Sequence, residues 1–455
     1  MPRHTRRALL ASIAGALPLA GCTTGPASDP TTDGPGGTSP TANGSPSSAS
    51  PTGPPGTPEP VAPDHDAVVW AVDVGGSLKS QPTVSDGTVH VAVGGPQLST
   101  PTPGGDRPAG PVGTLALDDG STRSWTSLPA PPTGSPAALG DATYVTVGGS
   151  NGYTGVDQRL VKVVDGEVRW QSSGVDYFLS LLATGDGRAY LGTSDDALST
   201  SGQSLFAVDT SDGETRWRTT SGDAFEGALV DGGLLVDLAG QAAVHYDAAD
   251  GNERWRIEGA PEFDGEGGAS VVDGAVLVTV QEPSGEALAA VDLETGTERW
   301  SFDAAGEPPF VTAGATVADG LAVGVEYDGT VFGLDPADGT PAWEYAAGEE
   351  PTEPVAVDGT VYVGGGGAVH AVAPVDGTAR WSVGLGGDVR RVRATPDVVV
   401  ATRTTDAVAE FVALDPADGT VRWRFEAVDE YPLPVVSGRW TLLASERGLL
   451  RAFRA

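Results

Sequence analysis

Nine tryptophans, at 70, 125, 170, 217, 255, 300, 343, 381 and 423, divide most of the chain into repeated units of roughly 40 to 50 residues. Eight of them follow an Asp-Gly-like turn and a few polar residues, as in LDDGSTRSW, DTSDGETRW, DAADGNERW and DLETGTERW. Each unit also contains an earlier segment of the type PVAVDGTVYVGG (354–365), seen again as PTVSDGTVHVAV, ALVDGGLLVDLAG, ASVVDGAVLVTV and PVVSGRWTLLAS, the last holding Trp440, which stands outside the series. Four short segments recur per unit. They alternate apolar and polar residues, are rich in Val, and are separated by Asp-Gly or Thr-Gly, which supply the positive φ of tight hairpins. A four-stranded unit of this length predicts an all-β chain, a β-propeller of four-stranded antiparallel blades. Helical repeats of similar period need longer runs without glycine, and this chain has 65 glycines.

Two units spell one turn almost identically, GLDPADGTPAW at 333–343 and ALDPADGTVRW at 413–423. Leu334 and Leu414 are expected to end third strands, Asp-Pro-Ala-Asp-Gly to form the turn, and the tryptophan to lie in the outer strand. One ring per blade at a fixed offset can cover the joint between blades and bury its N–H against a main-chain acceptor. These turns offer two carboxylates, whereas calcium needs about six or seven oxygen ligands, so they read as structural. The strand around Trp70 has no partners before it, and the chain after Trp423 lacks a closing tryptophan, so the two ends are expected to complete one split blade and leave no open edge. That count gives nine blades, or eight if the irregular unit between 70 and 125 merges with a neighbour.

The formal net charge is −35, from 61 Asp+Glu against 26 Lys+Arg, with Lys79 and Lys162 the two lysines. A charge of that sign excludes whole-molecule attraction to nucleic acid or to an anionic membrane surface. Ordered apolar patterning in so acidic a chain predicts a folded protein screened by very high salt, hence a halophile and, on this reading, an archaeon. Positions 1–22, MPRHTRRALLASIAGALPLAGC, read as an export signal with a twin arginine (Arg6, Arg7), a short apolar run and a terminal Leu-Ala-Gly-Cys resembling a lipobox. Cys22, the single cysteine, is the expected lipidation site, placing the protein on the outer face of the cytoplasmic membrane and leaving no thiol for a disulfide, a haem attachment or a thiolate metal site. Residues 23–64 are Thr, Ser, Pro, Gly and Asp with almost no large apolar side chain, which predicts a disordered tether before a propeller over 65–455. Asn43-Gly44-Ser45 in the tether is a formal glycosylation acceptor followed by Pro46, and carries little weight.

The pattern A-x-D-x-x-T-G-x-x-x-W, preceded by VDGTVYVG, resembles the tryptophan-docking repeats of pyrroloquinoline-quinone-type (PQQ-like) propellers over about residues 66–455. That family includes the quinoprotein alcohol dehydrogenases and the lipoprotein of the bacterial outer-membrane barrel-assembly machine, and its usual blade number is eight. A dehydrogenase of this kind implies a vicinal disulfide, a Ca²⁺ site with a catalytic aspartate, and often haem. The single cysteine removes the disulfide and the haem motif, so no cofactor is expected, with PQQ and Ca²⁺ carried as the unsupported alternative. No catalytic residue and no metal ligand stands out. The histidines (His4, His65, His90, His245, His370) are scattered without metal-ligand spacing and read as strand-surface residues. GDVRRVRAT falls between the outer strand of one unit and the inner strand of the next. Alternation puts its Arg391 and Arg393 on one face, where they could offer an anion contact, although surface pairing to the abundant Asp and Glu is the plainer reading.

The resulting expectation is a monomeric, lipid-anchored, extracytoplasmic propeller that acts as a binding or scaffold module for an envelope protein, a glycan or a small ligand. A PQQ-dependent dehydrogenase and a surface ligand sensor are the alternatives. The barrel-assembly role is not carried over, since an archaeal host has no outer membrane.

Overall fold

The computed structural model describes residues 58–62, 64–78, 80–94, 110–150, 155–194, 203–224, 226–238, 241–258, 269–282, 285–303, 314–405, 408–427 and 434–455. These residues form nine blades and no helix. Blades 1 to 8 occupy 83–127, 137–171, 178–220, 226–258, 271–302, 316–346, 355–384 and 388–427, each a four-stranded antiparallel sheet in chain order. The unit between Trp70 and Trp125 is a complete blade of its own, which decides the count at nine.

Blade 9 closes the ring. Its inner three strands are Val435–Ser437, Trp440–Ala444 and Leu449–Arg454, and its outer strand is Val68–Asp73 from the other end of the chain. Trp70 thus takes the place of the tryptophan missing after Trp423. A fifth strand, Glu59–Val61, pairs outside it, with Val61 opposite Ala71, so regular structure begins within the segment whose composition reads as tether. Buried Arg451 ties this end down: its Nε donates to Asp64 Oδ1 at 3.0 Å.

The core is divided into nine apolar clusters, one per joint between blades. Strand alternation produces this division. In blade 7, Val361 and Val363 enter the cluster shared with blade 6, while Tyr362 between them enters the cluster shared with blade 8. Middle strands are therefore buried on both faces, which accounts for their near-continuous Val, Ala and Leu.

A β-bulge precedes each repeat tryptophan or lies one residue further back, leaving one residue without a ladder partner. In seven joints the indole then donates Nε1–H to the second carbonyl of the five-residue turn in the next blade: Trp70 to Leu117, Trp170 to Thr210, Trp217 to Ala248, Trp255 to Leu293, Trp300 to Pro336, Trp343 to Pro374 and Trp381 to Pro416, at 2.6 to 3.1 Å. The ring lies on the turn's glycine, where a side chain would collide with it. Two joints depart from the pattern, and each has a local cause. Trp125 faces blade 2, whose outer hairpin is the two-residue turn Asp165-Gly166 (φ 52° and 74°) and has no such carbonyl. Trp423 faces blade 9, whose outer strand comes from the far end of the chain and so has no turn to dock on; its ring stacks on Phe453 at 4.6 Å instead.

Candidate functional site

Because neighbouring strands in a blade are antiparallel, the first and third turns of every blade emerge at one end of the ring, and the other connections emerge at the opposite end. The first end is built from Asp-Gly turns. Aspartates there bind their own backbone: Asp335 Oδ1 accepts from Ala337 N at 2.9 Å, and Asp338 Oδ1 from Thr340 N at 3.0 Å. Ser211 and Arg216 hold Asp209 down to about 2, and Arg299 with Thr295 does the same for Asp292, so these carboxylates are fixed anions. In blades 3, 4, 5 and 8 the bulge arginine reaches back to the first aspartate of its turn: Arg216 to Asp209, Arg254 to Asp247, Arg299 to Asp292 and Arg422 to Asp415, at 2.8 to 3.0 Å.

Charge is not spread evenly along the ring. Residues 380–455 carry eleven arginines against ten Asp+Glu, net +1, which leaves 15 Lys+Arg against 51 Asp+Glu, net −36, in residues 1–379. The outer strand of blade 7, blade 8 and the inner three strands of blade 9 thus form a charge-balanced stretch of an otherwise strongly anionic molecule, edged by Glu59, Asp64, Asp66 and Asp73 around blade 9's outer strands. Counting charges by segment exposes this sector; the GDVRRVRAT stretch is one corner of it.

At the turn end, this sector holds a shallow cleft of about 480 Å³ between blades 7, 8 and 9. Asp358, Thr360 and Arg380 line it from blade 7, Asp397 and Arg422 from blade 8, and Arg439 from blade 9. Arg422 is committed to Asp415 at 2.8 Å. Towards the opposite end of blade 8, Glu410, only 5% exposed, receives Arg403 and Arg424.

The sequence-derived site residues fall in several places. Arg391 and Arg393 lie within the innermost strand of blade 8, Asp388–Ala394, not between blades; both are half-buried, with buried Val392 between them. Arg390 is exposed and pairs with Asp388 at 3.1 Å and Glu350 at 3.8 Å. Trp70, Trp125, Trp170, Trp217, Trp255, Trp300, Trp343, Trp381 and Trp423 all occupy outer strands. Arg6, Arg7, Cys22 and His4 lie outside the described residues.

Three histidines are interior, contrary to the strand-surface placement expected of them. His90 is 3% exposed and bonds Thr143 Oγ1 at 2.7 Å, and His370 bonds the Tyr345 hydroxyl at 2.9 Å. His245, 1% exposed, lies 5.1 Å from the Trp255 ring; the carbonyls of Val230 and Leu293 are near its imidazole without completing well-aligned hydrogen bonds. Burial lowers the pKa of all three, so each is a neutral core residue. His65 is half-buried, edge-on to Phe425 at 5.7 Å.

Among the described residues, no three His, Cys, Asp or Glu side chains come together as a metal-holding group. The buried histidines are spread over blades 1, 4 and 7, and aspartates of the outer turns are engaged with their own backbone. Among the described residues, the donors do not form a group that fits the quinone and calcium pair of a quinoprotein dehydrogenase, and no catalytic step follows from them. Among the described residues no helix is long and apolar enough to cross a membrane.

A closed ring of four-stranded blades, locked by one indole on the neighbouring turn, defines a tryptophan-docking β-propeller. The family model described as outer membrane protein assembly factor BamB matches residues 154–301, 239–409 and 367–455, and the chain belongs to this family. Solved structures similar to it include BamB from Moraxella catarrhalis (16% identity, TM-score 0.48, covering 70% of this chain and 96% of that one). The computationally designed Ika8 protein matches at 15% identity, with TM-score 0.50, over 70% of this chain and 95% of that one. Quinohemoprotein alcohol dehydrogenase from Comamonas testosteroni matches at 15% identity, with TM-score 0.44, over 85% of this chain and 76% of that one. Among curated proteins, the serine/threonine-protein kinase AfsK of Streptomyces griseus is 40% identical over 122 residues, 26% of this chain and 15% of the kinase. The match therefore spans a small part of that relative.

Proposed function

We propose that the protein is a lipid-anchored, extracytoplasmic binding or scaffold propeller without catalytic activity, and that it meets its partner through the charge-balanced stretch 380–455, from the outer strand of blade 7 to the inner strands of blade 9. The observation that carries this reading is the contrast between net +1 over residues 380–455 and net −36 over the rest. A partner approaching the acidic blades must overcome repulsion from, or desolvate, a dense field of carboxylates; one approaching this sector meets paired charges. The tryptophans are used in joining blades and the turn aspartates in holding their own turns, so neither is free to meet a partner. Membership of a family described as an assembly factor agrees with a scaffold role. Anchoring rests on Cys22 after Leu-Ala-Gly, export on Arg6 and Arg7, and a halophilic, archaeal host on the acidic composition. The partner would be an envelope protein, a glycan or a small ligand.

Two measurements test the reading. Cys22→Ser should shift the protein from the membrane to the soluble fraction; unchanged membrane retention would refute lipid anchoring. A photo-crosslinking residue placed at Arg439 should capture a partner in intact cells, whereas one at Asp231 or Asp273, in turns of blades 4 and 5, should not. Equal capture at all three would refute the sector.

A further inference from the structure

Within that sector, the cleft breaks the pattern that the bulge arginines of blades 3, 4, 5 and 8 follow. Blade 7 keeps the arginine, Arg380, but has Ala373 where the turn's first aspartate would stand. The turn itself is unchanged: Gly377 N donates to Ala373 O at 2.9 Å, as Gly419 N does to Asp415 O. Without that first aspartate, Arg380 donates to Thr360 Oγ1 at 2.5 Å, while Asp376, the carboxylate that the turn keeps, stays within its electrostatic reach. Arg123 of blade 1 makes the same kind of contact, to Thr88.

What distinguishes blade 7 is the residue lining the same cleft from blade 9. The first turn there reads Ser437-Gly438-Arg439, where blades 1, 3, 4, 5, 6 and 7 have Asp-Gly at that turn. A carboxylate is gone and a guanidinium is added. Arg439 is exposed and makes no ion pair among the described residues. Arg380 and Arg439, neither of them in an ion pair among the described residues, therefore line one depression of about 480 Å³ at the otherwise acidic end of the ring, with Asp397 and Asp415 of the intervening blade also in its lining. Asp358, Asp397, Asp415, which is paired to Arg422, and Ala455 line it as well, and these acidic groups disfavour a highly charged polyanion over a single oxyanion on a small body.

We infer that this cleft binds a small ligand through one oxyanion group, a carboxylate or a tetrahedral sulfate or phosphate, held by Arg380 and Arg439. The guanidinium fork suits both geometries, and charge-assisted hydrogen bonds keep their strength better in a depression than on an open surface. The inference rests on the reading of this sector as a binding surface and names the chemistry it takes.

The test is calorimetric titration of the full-length protein in molar KCl with succinate and with inorganic sulfate, using succinamide as the neutral control. At least one anion should bind and succinamide should not; the anion preferred identifies the group recognised. Arg439→Ala should weaken binding roughly tenfold, the scale of one charge-assisted contact. Ala373→Asp should weaken it comparably by restoring the missing partner of Arg380, as Asp415 partners Arg422, while leaving thermal stability equal or higher. Failure of both anions to bind a folded protein that still crosslinks at position 439 overturns the oxyanion assignment alone. Failure to bind together with loss of crosslinking overturns the sector too. Binding that is unchanged in both variants, or shared by succinamide, also overturns the assignment.

Discussion

Trp381 donates its indole N–H to the carbonyl of Pro416 at 2.9 Å and lies on Gly419, the last residue of the same turn, so one side chain bonds and covers the joint between blades 7 and 8. A methyl group at Gly419 would sit 2.8 Å from the ring, and its φ of +73° is costly for any residue with a Cβ. Gly187 has the same φ of +73° but nothing within 4 Å. Gly187→Ala should therefore cost about 1 kcal/mol from backbone strain alone, and Gly419→Ala roughly 2 kcal/mol more, as overpacking is added. Urea unfolding of both variants in constant KCl measures the difference; equal losses would deny the docking contact.

The indole bond can be separated from the indole bulk. Trp381 has an acceptor for Nε1–H, and Trp423 has none, stacking on Phe453 instead. Substitution by Phe removes the N–H in both and a similar volume in both. Trp381→Phe should be the more destabilising by about 1 kcal/mol, the net worth of one hydrogen bond. A larger loss at Trp423 would contradict the assignment.

Acid sensitivity should begin with the histidines. His90, His245 and His370 have folded pKa values below the ordinary 6.5, so the unfolded chain takes up protons first as pH falls. Stability is then unaffected well above 6.5 and declines as pH drops from 6.5 towards the folded values. Asp209 and Asp292 add a second decline, between 3.8 and about 2, with the same sign. Unfolding free energy measured between pH 8 and pH 5 should show the first decline, and His245→Gln should reduce its slope. A flat profile would mean that these rings are not held neutral.

Glu410 is an interior carboxylate facing two arginines, Arg403 and Arg424. Replacing it with Gln leaves the guanidinium groups without their counter-charge, and should cost roughly 3 kcal/mol. Replacement of exposed Glu167, paired with Arg169 at 2.7 Å, should cost well under about 1 kcal/mol. Thermal melts of the two variants decide whether burial or mere pairing matters.

Much of the fold is legible from Trp423 and the Asp-Pro-Ala-Asp-Gly turn, because a joint that repeats in space must repeat in sequence. Leu334 and Leu414 end their strands where the turn residues place them. The split blade is legible too, since the sequence shows no Val-rich strand pattern before Trp70 and no docking tryptophan after Trp423, although the short strand Glu59–Val61 is not legible there. The interior histidines are not legible: middle strands are covered on both faces, so alternation around His90 or His245 marks no outer side. The cleft is hidden for a different reason. Arg380 and Ala373 look unremarkable until strand register sets the arginine against the place of the missing aspartate. Arg439 belongs to blade 9, two blades further round, and the stacking of blades 7, 8 and 9 brings it to the cleft that Arg380 lines.

The most direct measurement places one photo-crosslinking residue in each blade's first turn and quantifies, in intact cells, what each position captures. Capture concentrated at blades 7 to 9, with positions 231 and 273 silent, is the result expected of a propeller that meets its partner through the charge-balanced sector. Capture spread evenly around the ring, or concentrated on the acidic blades 3 to 5, would contradict it.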